Sequence, residues 1–490
     1  MKSLQELLQP WLSYTTMLCF ENLCIDSRQI KTGDLFLAMP GHQVDGRQFI
    51  TQAINQGAVA IIVHTDNPAE HGHIKLVENI TPVISFFELA NQVAHLAQRA
   101  YPLDTTKLNL AAVTGTNGKT SVTQLMAQLV ELTQQRAAIL GTVGNGLWGQ
   151  LQQTDNTTPD ATTCAQQLHR FQQQGATFIA MEVSSHGLVQ KRINTQPFSL
   201  AIFTNLTRDH LDYHGNIQNY ALAKKRLFNL PQIKQHLFNI DDPTGAKWYE
   251  EFQNKAASYS LNPDKKADYT LHITDTHQNG FSAQLHWQND QVDVRTPLLG
   301  TFNLSNLLAA LAGLHLLGHD LKILCEQVQY LRPVTGRMEC FKVKQQPMCV
   351  VDYAHTPDAL EQALKALQQH CQGQLWCIVG CGGERDVGKR PIMAAIAEQH
   401  AQKLILTADN PRSESVEAIL LHMKQGLKAP EKVEFEPIRQ TAIQKALAQA
   451  KPQDLILIAG KGHETYQEIN GIKNDYNERL FVQDLLKEAS

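Results

Sequence analysis

"VTGTNGKTSV", residues 113 to 122, follows the apolar run "NLAA" at 109 to 112 and leads into "VTQLMAQLVEL", where Val122, Leu125, Met126, Leu129 and Val130 recur at helical spacing. A strand, a glycine loop and a helix N-terminus in that order make an anion cradle, because loop N–H groups converge where the helix dipole adds positive potential. Lys119 can then reach the outer phosphates of a nucleotide, and the Thr120 hydroxyl can coordinate magnesium. The general P-loop pattern has a glycine where Val113 stands, so this loop is a shortened variant. A glycine-rich turn with a surface lysine is the alternative, and the flanking strand and helix argue against it.

Working outward, the chain divides into three α/β regions. Residues 1–87 alternate short apolar runs, "DLFLAM" and "AVAIIVH", with turn-rich pieces. Residues 88–336 form a larger region with strand candidates "NLAAVTG", "FIAMEV", "LAIFTNL" and "HLFNID". In residues 337–490 "CVVDYAH", "LWCIVGCGG", "KLILTADN" and "LILIAGKGHE" read as buried parallel strands, separated by helical stretches such as "PDALEQALKALQQH" and "RPIMAAIAEQHA".

Composition narrows the classes. At 490 residues, 43% apolar and 18% charged, the chain can fill several cores, and a net charge of -4 disfavours nucleic acid as a partner. "MKSLQELLQPWLSY" is amphipathic and broken by Pro10, no run is long enough to span a bilayer, and the expectation is a cytoplasmic protein without membrane insertion. The nine cysteines show no Cys-x-x-Cys, so they are expected to be core thiols in a reducing compartment.

Three further motifs carry chemistry. In "FIAMEVSSHGL" Glu182 stands near the carboxyl end of a strand; beside a P-loop strand it reads as a magnesium ligand, and the lack of Gly-x-Ser-x-Gly argues against a hydrolase nucleophile. "TNLTRDHLDYHG" holds His210 and His214 at a spacing that could bind zinc on a helix, but the glutamate of a His-Glu-x-x-His site is missing. "YALAKKRLF" carries Lys224 and Lys225, which by spacing alone would be a solvated helix face.

"TGTNGKTS", "EVSSHGL", "FTNLTRDHLDYHG", "GTFNLSNLLAA", "GRME", "VDYAHTPD", "GCGGERD", "DNPR" and "GKGHE" occur in the order seen in the Mur ligases, and from about residue 24 to the end the chain resembles that family. The resemblance is to the members that add the third residue of the peptidoglycan stem. It implies a UDP-sugar domain (1–87), a central P-loop ATPase-like parallel-sheet domain (88–336) and a C-terminal Rossmann-like domain that brings the amino acid (337–490). It implies ATP and Mg2+ as cofactors, and UDP-MurNAc-L-Ala-D-Glu and meso-diaminopimelate as substrates.

Site residues follow by position. The resemblance implies that Gly115, Thr116, Asn117, Gly118, Lys119, Thr120 and Ser121 cradle ATP, with Asn303, Asn306, Arg337 and Asp352 also on the nucleotide. Thr120, Glu182 and His210 serve magnesium, and Lys224 matches the lysine that the family carbamylates, which replaces the solvated-face reading. Ser27, His42, Gln43, Val44, Asn156, Thr157, Thr158, Ser184, Gln190 and Arg192 match the positions that bind the UDP-sugar dipeptide.

In the C-terminal region "DYAHTPD", "GCGGERD", "DNPR" and "GKGHE" each begin where a strand candidate stops, so four polar loops gather on one sheet edge. Arg385 takes the place of the third glycine of a dinucleotide fingerprint, which argues against NAD. Arg385 and Arg412 can clamp a carboxylate, and Glu464 can take an ammonium group. "DNPR" resembles the loop of ligases selective for meso-diaminopimelate, and Asp409, Asn410, Pro411, Arg412 and Gly460 complete that set. A plain turn at Asp409 and Asn410 with a solvated Arg412 is the alternative. A lysine-adding ligase, a folylpolyglutamate synthase-like ligase and a P-loop switch protein are the competing functions.

Overall fold

The computed structural model describes residues 1–41, 44–77, 80–154 and 156–488. The chain forms two compact units, residues 1–119 with 130–257, and residues 120–129 with 258–490.

The first unit opens with a five-stranded sheet. Leu23–Cys24, Leu35–Ala38, Ala60–Thr65 and Thr81–Phe87 run parallel in that order, and Ile74–Val77 closes the edge antiparallel. "LFLA" is wholly buried, as expected of a parallel strand covered on both faces. The helix Leu89–Ala100 places Leu89, Val93, Leu96, Ala97 and Ala100 in the same core as Leu4, Phe20 and Phe86. Helical spacing of its apolar residues is what makes one side of it buriable.

The same unit holds a second sheet, ordered Gly144–Leu147, Ala137–Gly141, Phe178–Glu182, Asn109–Thr114, Leu200–Phe203 and Gln235–Asn239. All neighbours pair parallel except the first two. The continuous apolar runs read from sequence are its central strands. Their carboxyl ends release Thr142, Val183 to Ser185, Gly115 and Thr204 side by side, which is where ligands lie in such sheets.

In the second unit Tyr269–His277, Gly280–Trp287 and Asp290–Thr296 form an antiparallel meander. Sequence reading did not single it out, although alternating burial in the middle strand and the turn "QNG" are its signals. The helix Thr301–Leu316 is buried on nearly every side, which explains its almost unbroken apolar run.

The other sheet of this unit is ordered Glu339–Phe341, Met348–Asp352, Leu455–Ala459, Leu375–Val379, Lys403–Leu406 and Glu434–Phe435. Only the first strand is antiparallel to its neighbour. Apolar cores cover both faces, one around Val350, Cys377 and Leu457 and one around Val351, Ile378 and Ile458. The Rossmann-like reading of this region is therefore what the chain forms.

All nine cysteines are free thiols. Cys164, Cys325, Cys349, Cys377 and Cys381 are buried, Cys24, Cys340 and Cys371 half-buried, and Cys19 exposed.

Candidate active site

The loop after Asn109–Thr114 is folded for close approach. At Gly115, with φ of 154°, a β-carbon would lie 1.9 Å from Thr204 Oγ1, so no side chain fits. Neighbouring segments hold the loop open: Thr116 N donates to Asn205 O at 2.9 Å, Asn117 N to Asn205 Oδ1 at 2.9 Å, and Thr204 Oγ1 to Asn117 O at 2.5 Å. The helix Lys119–Leu132 begins at Lys119, whose ammonium donates to Gly115 O at 2.9 Å and Thr116 O at 2.8 Å. Thr120 and Ser121 are buried in its first turn.

A cavity of about 290 Å³ beside this loop is lined by Lys119, Asn156, Thr157, Thr158, Ser184, Gln190, Arg192, His210 and Lys224, nine residues that sequence reading had named. Ser185, His186 and Tyr220, which were not among the expected site residues, complete the lining.

Lys224 departs most from its periodicity. It lies in the helix Ile217–Lys225 at 1% exposure, not on a solvated face, and donates to Gly115 O at 2.7 Å. Burial, and then the nearby Lys119 ammonium, push its pKa well below the ordinary lysine value. Its neighbour Lys225 instead pairs with Glu251.

Glu182 ends its strand at 1% exposure and accepts from Thr142 N at 2.9 Å and Thr142 Oγ1 at 3.1 Å. His210 has φ of 51° and precedes the short helix Leu211–His214; its ring lies 5.1 Å from that of His186. His214 is buried and paired with Ser185 Oγ at 2.9 Å. Among the described residues no group of three His, Cys, Asp or Glu could hold a metal ion. Glu182 offers a buried carboxylate, the oxygen-donor kind of ligand that magnesium takes.

The positions expected to meet the UDP-sugar dipeptide fall into two sets. Arg192 donates to Gln190 Oε1 at 2.9 and 2.5 Å and to Thr158 O at 2.5 Å. Thr158 Oγ1 donates to Glu182 O and accepts from Ser184 N, both at 2.9 Å, and Thr157 Oγ1 is 3.1 Å from Thr142 Oγ1. Ser27 and Val44 do not line the cavity: Ser27 is buried and donates to Gln52 Oε1 at 3.2 Å, and Val44 is 56% exposed. His42 and Gln43 lie outside the described residues.

The second unit carries the other named residues. Asn303 and Asn306 are buried on the helix Thr301–Leu316, where Asn303 Nδ2 donates to Leu299 O at 2.9 Å. Asp352 Oδ2 accepts from Met338 N at 2.7 Å, and the Arg337 guanidinium lies 4.6 Å from the Tyr353 ring. Burial pushes the Asp352 carboxyl up, against the pull of Arg337.

Arg412 is not the solvated charge of the alternative reading, nor Asp409–Asn410 an isolated turn. Arg412 has φ of 53°, its side chain is 18% exposed, Nη1 donates to Gly383 O at 2.7 Å, and Nε lies 3.4 Å from Glu468 Oε2. A methyl on Gly382 would sit 3.0 Å from Arg412 Nη1 and 3.6 Å from Arg385 Cγ, so the two arginines flank one glycine; Arg385 is exposed. Asp409 and Asn410 are buried, and Asn410 Nδ2 donates to Glu464 Oε2 at 2.8 Å. Gly460 leaves its α-carbon facing the Asp409 carboxylate, 3.1 Å from where a β-carbon would stand.

Sequence reasoning missed the groups that hold this cluster. Arg390, fully buried, binds Glu414 at 2.8 and 2.9 Å and Gly382 O at 3.1 Å, and holds the Glu414 carboxyl down to about 2. Arg439 pairs with Glu478 in the core and donates to Ala408 O at 3.2 Å and Ala459 O at 2.9 Å, the carbonyls just before Asp409 and Gly460. Lys461 sits between Asn410 and Glu464. The motif "GKGHE" contains Lys461 and is the signal that points to it; Arg390 and Arg439 carry no local signal.

Three family models match the chain: "Mur ligase family, catalytic domain" over residues 20–101, "Mur ligase middle domain" over 113–314, and "Mur ligase, glutamate ligase domain" over 336–462. A relative in Haemophilus influenzae strain Rd, named UDP-N-acetylmuramoyl-L-alanyl-D-glutamate--2,6-diaminopimelate ligase, is 45% identical over 477 residues, covering 95% of this chain and 96% of the relative. One of the same name in Vibrio vulnificus is 45% identical over 488 residues, covering 99% and 98%. A solved structure of a ligase of that name aligns at a TM-score of 0.72 and 38% identity, over 100% of this chain and 99% of the other.

Proposed function

Since the chain belongs to the Mur ligase family, we propose that it is the ATP-dependent ligase that joins meso-diaminopimelate to the D-glutamate of UDP-MurNAc-L-Ala-D-Glu in peptidoglycan precursor synthesis. The observation that carries the reading is the single cavity that gathers the phosphate-loop lysine, the buried Lys224 and the Thr157, Thr158, Ser184 and Arg192 group. A phosphate-handling group and a cluster able to grip a polar substrate thereby share one space. The 45% identity to ligases of that name supports the choice of substrates.

When bound, ATP supplies the phosphoryl group that turns a carboxylate into an acyl phosphate, and Mg2+ neutralises phosphate charge. The chain's own work is positioning and charge compensation. Lys119, resting on the carbonyls of Gly115 and Thr116, exchanges those partners for phosphate oxygens. Burial favours the neutral amine of Lys224, the form that adds to carbon dioxide with loss of a proton. The resulting carbamate would keep an N–H to donate to Gly115 O and would offer two oxygens to Mg2+, with Glu182 and His210 as the other residues that would hold the ion. Arg192 and Ser184 orient the dipeptide end of the UDP-sugar, and Arg385, Asp409, Asn410, Arg412, Gly460 and Glu464 receive the amino acid.

We assign residues 1–87, 88–336 and 337–490 to the UDP-sugar, ATP and amino-acid roles, with Leu89–Ala100 sharing the first core. No helix among the described residues is long and apolar enough to cross a membrane, and the site of action we propose is the cytoplasm.

The test is ADP release with UDP-MurNAc-L-Ala-D-Glu and each candidate amino acid supplied separately. Release that depends on meso-diaminopimelate is the expected result. Equal use of L-lysine would point to a lysine-adding ligase, turnover of folates to a folylpolyglutamate synthase, and release without any acceptor to a P-loop switch protein.

A further inference from the structure

We infer that Lys461 is a positioning residue of the acceptor site: its buried ammonium orients Asn410 and Glu464 for the acceptor's own ammonium. The inference rests on the amide-ligase reading above. Lys461 is 0% exposed, directly after the turn at Gly460. Its Nζ donates to Asn410 Oδ1 at 3.0 Å and Glu464 Oε2 at 2.9 Å, lies 3.8 Å from Asp409 Oδ1, and is 5.7 Å from the Tyr466 ring centroid.

The bonds decide which way Asn410 faces. Its Oδ1 accepts from Lys461 and, at 3.0 Å, from Glu468 N, so its Nδ2 must point at Glu464, where it donates at 2.8 Å. Without the ammonium the amide would lose one of the three hydrogen bonds that hold that orientation. Glu464 would lose the cation that keeps its carboxylate turned inward.

Lys461 offsets one of two carboxylates, Asp409 and Glu464. Of the buried or half-buried arginines here, Arg439 is matched by Glu478 and Arg412 by Glu468. Asp409 Oδ1 is buried and accepts no hydrogen bond. The Lys461 ammonium stands 3.8 Å from it. Lys461 itself has no exposed surface to offer a substrate, so it acts through Asn410 and Glu464.

The experiment uses the full-length enzyme and compares wild type, Lys461→Met and Lys461→Arg. Lys461→Met should raise KM for meso-diaminopimelate by about tenfold or more, the scale of a lost charge-assisted contact, while KM for ATP and the UDP-sugar dipeptide stays within about twofold. Lys461→Arg, which keeps the charge, should recover part of the loss. In the background of Glu464→Gln, Lys461→Met should cost no more than about threefold further, because coupled residues are not additive. An unchanged acceptor KM, a parallel rise in all three KM values, or full additivity with Glu464→Gln would overturn the assignment. If Lys461→Met does not fold, Lys461→Gln replaces it; failure of both to fold would make Lys461 a stability residue and overturn the inference as well. A wild type that does not release ADP with meso-diaminopimelate would instead refute the ligase reading itself.

Discussion

Lys224 shows how one side chain can contradict its own periodicity. Two lysines in a row on a helix read as a wet face, yet the Gly115 carbonyl and the Tyr220 ring, 4.4 Å from the ammonium, take Lys224 inside. If its carbamate holds magnesium, Lys224→Ala should be nearly inactive and partly rescued by a small carboxylic acid such as acetate. Mass spectrometry of active wild-type enzyme showing only the free amine would refute this. Arg412 was legible as a cation beside a fixed proline, but its partners were not, because Gly383 and Glu468 lie far away in sequence. With Nη1 and Nε engaged by those two, Nη2 remains to meet a carboxylate, and Arg412→Ala should raise KM for meso-diaminopimelate about a hundredfold or more and narrow the gap to lysine. Steady-state kinetics with both amino acids checks it; full selectivity in the mutant would be the contrary result.

At the scale of elements, the strands and the loops that follow them were readable because buried parallel strands need unbroken apolar runs and ligands collect at their carboxyl ends. The meander of residues 269–296 was not, since its short alternating strands compete with loop composition until pairing is known. Nor did the apolar reading of "HLFNID" explain its first residue. His236 is 3% exposed on the strand Gln235–Asn239, ringed by Phe228, Phe238 and Phe252, and neither ring nitrogen has a hydrogen-bond partner. Burial, with a smaller push from Lys255, lowers its pKa from 6.5 to about 4. Between those values the unfolded chain takes up a proton that the folded chain refuses, so stability falls as pH drops through that window. His236→Phe should therefore lose less of its urea midpoint than wild type between pH 7 and pH 5. A drop of equal size in both proteins would sink this account.

Over the whole molecule, family motifs marked where the chemistry lies, while the buried groups that support it, Lys461, Arg390 and Arg439, became visible only once distant strands were brought together. The thiols show the same division between composition and place. Burial raises the pKa of Cys24 to about 11 and of Cys325, Cys340, Cys349, Cys377 and Cys381 to about 12, and it raises Cys164 and Cys371 as well. Thiolate is the reactive species, so all eight are protected by protonation and the five buried ones by lack of access as well. A colorimetric disulfide reagent at neutral pH should titrate one thiol rapidly in the native protein, and all nine after denaturation. More than one fast thiol in native protein would contradict the burial. Cys19, on the first unit and paired through its backbone with Ser3, thus offers a ready-made attachment point for a fluorophore or spin label, with no cysteine to be engineered in or removed.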